Sequence, residues 1–336
     1  MNFAIDVMGG DHAPQAVLDG VALALPALNA QTELTLYGDQ KVLDAAIAAG
    51  KLDVSHVSVV YTTEVVSCDE QPTLAMRKKK DSSLVRALND VADKKADCII
   101  SAGSTGALLT GATLIVRRLP GVKRPALAVV LPAKDGCTLL LDCGANTDCK
   151  VEYLTQFAVM GSAYMERVLG VENPRVGLLN NGAEAEKGKE LTKAAYQALK
   201  SAPVNFTGNC EARDVLSGSF DVVVCDGFDG NNVLKTIEGT ASFVLAKLKE
   251  ELYASPITKL GAALAKPAFR KLKKALDYSE YGGAPLLGVQ AGVIKAHGSS
   301  DAKAFMNAVL QAQKLMDGRV IEKIGEGIAA IGGLED

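Results

Sequence analysis

The stretch Asp97-Cys98-Ile99-Ile100-Ser101-Ala102-Gly103-Ser104-Thr105-Gly106-Ala107-Leu108-Leu109 constrains the fold more than any other. An apolar run short enough for a buried strand ends in Ser, Gly, Ser, Thr and Gly, then takes up the Ala/Leu spacing of a helix. It reads as strand, loop, helix. In that geometry the first-turn N–H groups lack intrahelical partners, the macrodipole adds partial positive charge, and glycines let an anion approach the backbone. The stretch is a candidate phosphate cradle. A tight βα turn capped by Ser104 or Thr105 accounts for the same residues without a ligand.

The same unit recurs along the chain. Asn2 to Val7 reads as a strand running into Met8-Gly9-Gly10-Asp11-His12-Ala13-Pro14 and a helical stretch to about Leu28. Paired glycines permit a sharp turn, Asp11 is placed to cap the helix, and Pro14 suits its first turn. Asp6 and Asp11 flank the glycines at the strand's carboxyl end, where open α/β sheets place ligands. Leu34–Asp39, Val57–Tyr61 and Ala126–Leu131 read as further strands, and Thr138–Leu141 ends in Asp142 and Asn146. A helix is expected over Val151 to Leu169, closed by Gly170. Arg175–Leu179 leads into an amide- and acid-rich loop containing Asn181 and Lys187, and Asp221–Asn232 repeats the pattern. Alternation between periods of 2 and 3.6 is the mark of an α/β fold.

Several look-alikes fail on spacing. Gly182 to Lys189 is one residue too long for a P-loop and has Glu190 where Ser or Thr is required. The loop from Asp226 has Phe228 at an EF-hand ligand position and Ile237 where the closing Glu belongs. Gly325 to Ala330 matches Gly-x-Gly-x-x-Ala, but too little chain follows to build a dinucleotide-binding unit.

A net charge of -3 over 336 residues supplies no overall basic field for nucleic acid. No window reaches the apolar length of a membrane span and the chain opens directly into a strand, so a cytoplasmic or membrane-peripheral protein is expected. The seven cysteines include no Cys-x-x-Cys pair, and Cys143, with no evident His partner, reads as an inert thiol. Three histidines argue against a His-rich metal site; His297, beside glycine, is a candidate acid or base. Arg77-Lys78-Lys79-Lys80 precedes a helix expected over Leu84 to Lys94 and reads as a solvated face, the mouth of an anion site or a surface for an acidic partner. From Ser255 to Leu276 there are six basic residues and no acid. At helical spacing Phe269, Leu272 and Leu276 share one arc and Lys266, Arg270, Lys273 and Lys274 another, with Pro267 expected to open the helix. Such a helix suits an anionic membrane, an acidic protein, or packing in a core or dimer seam.

Six segments carry a resemblance: Asp6 to Pro14, Lys79-Lys80-Asp81-Ser82-Ser83, Ser101 to Ala107, Asp142-Cys143-Gly144-Ala145-Asn146, Asp226 to Asn231, and Gly282-Gly283-Ala284-Pro285-Leu286-Leu287-Gly288. In this order, over essentially the whole length, the chain resembles the bacterial phosphate acyltransferases, the acyl-ACP:phosphate acyltransferases of phospholipid synthesis. The resemblance implies one catalytic α/β/α domain over 1–336. It would be three-layered, with a mostly parallel, doubly wound sheet related to those of phosphate acetyltransferases and of isocitrate and isopropylmalate dehydrogenases. Residues 243–281 would form a protruding amphipathic helical hairpin for membrane or dimer contact. It further implies a homodimer without cofactor or metal that transfers an acyl group from acyl carrier protein to inorganic phosphate. The product feeds a membrane glycerol-3-phosphate acyltransferase, which places the protein at the inner face of the cell membrane.

On that reading Ser101, Gly103, Ser104, Thr105 and Gly106 hold phosphate, with Asn181 and Lys187 as further donors. Asp6, Asp11 or Asp229 orients or deprotonates it, while Asn146, Asn231 or His297 steadies the thioester oxygen or the leaving sulfur. Arg77 to Lys80 and the basic helix, Lys266, Phe269, Arg270, Leu272, Lys273 and Lys274, contact carrier protein or membrane. Two alternatives stand beside it: a nicotinamide- and metal-dependent dehydrogenase of related fold, and a non-catalytic adaptor between carrier and membrane.

Overall fold

Strand β1 (Asn2–Asp6) lies between β2 (Glu33–Gly38) and β4 (Cys98–Ser101), with β3 (Val57–Tyr61) beyond β2. Next to β4 come β12 (Gly292–Lys295), β11 (Ala284–Leu287) and β5 (Ala126–Leu127), completing seven strands that are parallel except in the two pairs β11 makes. A second sheet runs β6 (Val129–Pro132), β7 (Cys137–Leu141), β10 (Val222–Val224), β8 (Arg175–Asn180) and β9 (Asn205–Glu211), with only β6 antiparallel. The structure, a computed structural model, describes residues 1–50, 52, 55–276 and 282–332.

The strand expected over 126–131 is therefore divided. Ala128 alone separates β5 from β6, so the segment leaves its partner β11 and takes β7 one residue later. The mostly parallel α/β expectation holds, with one edge segment serving two sheets instead of one sheet running through.

Packing of the helices explains where a cleft forms. α1 (Gln15–Ala24), α2 (Gln40–Ala48), α6 (Val151–Leu169), α7 (Glu190–Ser201), α10 (Ala302–Asp317) and α11 (Val320–Ala330) cover one face with a continuous core that includes Phe3, Leu34, Leu141, Phe157, Val176 and Phe305. The opposite face carries two separate cores. α4 (Ser83–Ala92) and α5 (Thr105–Gly111) pack with Ala4, Tyr37 and Ile99 on the first sheet, whereas α8 (Gly227–Leu252) packs through Leu234 with Leu140 and Val223 on the second. Apolar burial thus holds the sheets together on one side and leaves a division on the other.

Local signals set the boundaries. α6 ends at Gly170, which takes φ +68 as a left-handed C-terminal residue. Ser82 caps α4, accepting from Val85 N–H at 3.3 Å. Asp11 does not cap α1: Pro14 holds the cap position without a side-chain bond, and the turn before it gives the Asp11 N–H to the Gly298 carbonyl instead. α8 spans 26 residues and turns through Tyr253-Ala254-Ser255 into α9 (Pro256–Leu276). α9 opens at Pro256, where Ser255 and Thr258 exchange side-chain-to-backbone hydrogen bonds, a reciprocal cap. Pro267 lies inside α9, not at its start; that stretch is exposed, so the carbonyl its missing N–H leaves open is not sealed in a core. Residues 277–281 of the expected hairpin lie outside the described residues. Among the described residues no helix is long and apolar enough to cross a membrane.

Candidate active site

The order of the first sheet reverses between β1 and β4, and ligands of open α/β sheets bind at the carboxyl ends of strands at such a point. Asp6, Ser101 and Lys295 stand in register across β1, β4 and β12 at that edge. Asp6 is 2% exposed; its carboxylate accepts from Ser83 Oγ and Ser101 Oγ, each at 2.6 Å. Burial raises its pKa, opposed by those two hydroxyls and the Met8 amide. Ser101 Oγ in turn accepts from Gly103 N–H at 3.0 Å. Ser101 and Gly103 are thus committed to shaping the loop.

Backbone meets backbone above this row. A Cβ on Gly9 would stand 2.5 Å from Asp6 Oδ2 and 2.7 Å from Gly103 N, so only glycine lets the two loops close. Ser104 caps α5, accepting from Ala107 N–H at 3.4 Å, and Thr105 is exposed in its first turn. Gly106 admits Pro72, the first residue of α3 (Pro72–Lys78), whose Cγ would lie 2.9 Å from an added Cβ.

Thr105 looks into a cleft of about 200 Å³ between the two sheets, which Asn231, Lys235, Glu238, Lys295 and His297 also line. His297 Nδ1 accepts from Ser299 N–H at 3.3 Å, so the neutral ring carries its proton on Nε2. Burial and then the positive Lys235 hold its pKa below the usual value. Lys235 pairs with Glu238 at 2.7 Å. Asp11, exposed, lies against Gly298 at the rim.

The second sheet gathers a different set. Asp142 is fully buried and accepts from Leu127, Ala145 and Asn146 N–H and from Asn146 Nδ2, at 2.6 to 3.0 Å. Asn146 Nδ2 also donates to the Pro125 carbonyl. Asn146 therefore clasps the point where the chain changes sheets. Asn181 and Asp229 line a separate, more open cavity of about 520 Å³ with Asn180, Lys189 and Asn232. Lys189 Nζ bridges Asp226 at 2.7 Å and Asp229 at 3.0 Å; burial opposes its charge, but these two partners outweigh it and raise its pKa. Lys187 is exposed and lines neither cavity. α8 separates the two, with Asn231, Lys235 and Glu238 toward the first and Asp229 and Asn232 toward the second.

Of the basic run, Arg77, Lys78 and Lys80 are exposed, while Lys79 is drawn to Glu70 at 2.5 Å and to the Val65 carbonyl. Lys266, Phe269, Arg270 and Leu272 line an apolar groove of about 600 Å³ between α8 and α9. The side chains of Lys273 and Lys274 lie outside the described residues. Ile257, Leu260 and Leu264 form a more exposed apolar stripe than the arc read from the sequence. Burial pushes the thiols of Cys143 and Cys225 well up, which makes both inert.

Sequence reasoning missed Lys189, Lys235, Glu238 and Lys295. Lys235 and Glu238 follow Asn231 at four and seven residues, a helical spacing that puts all three on one face. Lys295 had no such signal, since it reads as the polar end of an apolar strand.

Compared with solved structures, the chain is similar to a phosphotransacetylase from Streptococcus pyogenes, at TM-score 0.62 and 16% identity over 96% of this chain and 94% of that one. The architecture is that of an α/β protein of phosphotransacetylase-like fold. A family model described as "Fatty acid synthesis protein" matches residues 1–323. The phosphate acyltransferase of Clostridium perfringens (strain SM101) is 51% identical over 329 residues, 98% of this chain and 97% of that one. That of Oceanobacillus iheyensis is 49% identical over 337 residues, covering both in full. The chain belongs to the phosphate acyltransferase family, a family of transferases.

Proposed function

We propose that the protein, acting as a single catalytic domain, transfers an acyl group from acyl carrier protein to inorganic phosphate in phospholipid synthesis. One observation carries the reading: Thr105 in the first turn of α5, Asn231 and His297 line one cleft beside the strand-order reversal. Phosphate is already a nucleophile and a thioester already activated, so positioning and charge stabilisation suffice. Thr105 and the first-turn amides of α5 hold phosphate. A phosphate oxygen attacks the thioester carbonyl carbon, and the carbonyl electrons move to oxygen. Asn231 donates to that oxyanion. Collapse breaks the C–S bond, and the sulfur leaves as a thiolate that accepts a hydrogen bond from Nε2–H of neutral His297 and takes up the proton phosphate gives off. Asp6 and Ser101 orient the loop, with Asp11 at the rim. Asn146 holds the crossing between the sheets, Asn181 and Asp229 face the separate cavity beyond α8, and Lys187 lines neither cavity.

The acidic carrier docks on Arg77, Lys78 and Lys80 and on the basic side of α9 at Lys266 and Arg270. The apolar stripe Ile257, Leu260 and Leu264, with Phe269 and Leu272, seats the hairpin on a membrane or against a second subunit of a homodimer. Peripheral attachment to the inner face of the membrane brings acyl phosphate to a glycerol-3-phosphate acyltransferase. Flotation with anionic vesicles checks the membrane role: the double variant Leu260→Glu, Leu264→Glu is expected to stay with the unbound fraction. The reaction is tested by acyl-ACP consumption with and without phosphate, trapping acyl phosphate with hydroxylamine. Phosphate-dependent thioester loss with a trapped hydroxamate is expected. Carrier binding without thioester loss sinks the reading.

A further inference from the structure

Among the described residues, no carboxylate forms an ion pair with the buried cation of Lys295. The residue is 8% exposed, and its ammonium donates to two main-chain carbonyls, Ala102 at 3.3 Å and Ala296. A buried ammonium without a countercharge is costly, and two carbonyls engage only two of its three N–H donors. On β1, one strand beyond Ser101, the Asp6 carboxylate is already held by Ser83, Ser101 and the Met8 amide. The side chain lines the cleft between the sheets with Thr105 and His297.

Its two anchors are informative. Ala102 immediately precedes Gly103-Ser104-Thr105, and Ala296 immediately precedes His297. One ammonium therefore ties the loop that presents first-turn amides to the loop that presents the imidazole. We propose that Lys295 supplies the countercharge for the phosphate bound at the Ser104–Gly106 turn and, through the Ala102 and Ala296 carbonyls, fixes the spacing of the two loops around it. The inference rests on the phosphate acyltransfer reading above and adds to it the cation on which phosphate affinity depends.

A pH signature follows. Burial lowers the Lys295 pKa to about 8, with Cys68 in the segment before α3, Asp6 on β1 and Asp11 in the following loop opposing, and Lys235 on α8 adding to the fall. The ammonium is thus present below about pH 8 and lost above it. From about pH 8 upward phosphate is already dianionic, so its affinity falls as pH rises further because the protein loses charge.

The experiment measures inorganic phosphate binding to the full-length protein by titration calorimetry, together with KM for phosphate and for acyl-ACP, in wild type and Lys295→Met. Methionine keeps the length of the side chain and removes the charge. Phosphate affinity is expected to fall about tenfold or more, with KM for acyl-ACP nearly unchanged and the alkaline decline abolished. Wild-type phosphate affinity in the variant, or an equal rise in both KM values, overturns the assignment. Should Lys295→Met not fold, wild type alone decides: phosphate affinity that stays flat between roughly pH 8 and pH 10 overturns it as well. Wild type that binds phosphate and forms no acyl phosphate defeats the acyltransfer reading, while the binding measurements still decide whether Lys295 is the countercharge.

Discussion

The carboxyl ends of the two sheets handle polar groups in opposite ways. On the first, Asp6, Ser83, Ser101 and Lys295 are all less than a tenth exposed and meet each other or main-chain atoms at fixed distances. On the second, Lys189 bridges Asp226 and Asp229 with half of its own side chain and much of Asp229 in water. A buried network is costly to break and holds one geometry; a solvated one is cheap to break and adjusts. The rigid end suits a small anion whose contacts must be set in advance. The adjustable end suits a larger partner that approaches from solvent.

The comparison is tested most severely at Asp6. Asp6→Ala leaves two buried hydroxyls without an acceptor and removes a negative charge that acts on Lys295, which is expected to cost about 4 kcal/mol in a urea unfolding titration. Lys189→Met, after discounting for solvent screening, is expected to cost no more than about 1 kcal/mol. Similar losses from the two changes would erase the distinction.

Backbone packing offers a second contrast. Gly9→Ala drives a methyl into Asp6 Oδ2 and the Gly103 backbone, for an expected loss of about 3 kcal/mol. At Gly182 the atoms in the way are the mobile ends of Glu184 and the side chain of Lys187, so Gly182→Ala is expected to change stability by less than about 1 kcal/mol. Thermal melts of the two variants sharpen the comparison directly.

The smallest effect is one of pH. His297 has a lowered pKa, so the imidazole stays neutral down to below pH 6.5 and gains its charge only under that value. Protonation at Nδ1 takes away the acceptor of the Ser299 N–H that orients the ring, so the acid limb of kcat is expected to lie below pH 6.5, and His297→Gln is expected to lower kcat about a hundredfold and remove the limb. An acid limb unchanged in that variant would take the hydrogen-bonding role at the leaving sulfur away from His297.

Much of the scaffold was legible because it is written in local signals. The run Cys98–Ser101 ending in Gly103 and Ser104, the helix from Val151 stopped by Gly170, and Ser82 ahead of α4 are each decided within a few neighbouring residues. Features decided by distant pairing were not. The split at Ala128 depends on which strand each half meets, and nothing in Ala126 to Leu131 records that β11 and β7 are different partners. Lys295 joins the site through its register with Ser101, a residue nearly two hundred positions earlier, which no window of sequence contains. Gly103 and Gly106 were legible as residues where something approaches the backbone; the structure adds Gly9 and Pro72 as what approaches. The early start of α9 is written in Ser255-Pro256, a cap and first-turn pair, whereas Pro267 carries the same first-turn chemistry without a cap before it.

α8 gives the molecule a mechanical property that neither cleft nor hairpin has alone. Its first turns carry Asn231 and Lys235 into the cleft, and the same unbroken helix continues to Leu252 beside the apolar groove. At about 1.5 Å per residue its 26 residues form a rod of about 39 Å with no joint along it. Whatever grips the far end therefore has a lever arm on the wall of the reaction chamber, and a tilt there is felt at Asn231 as a displacement instead of being absorbed by a loop.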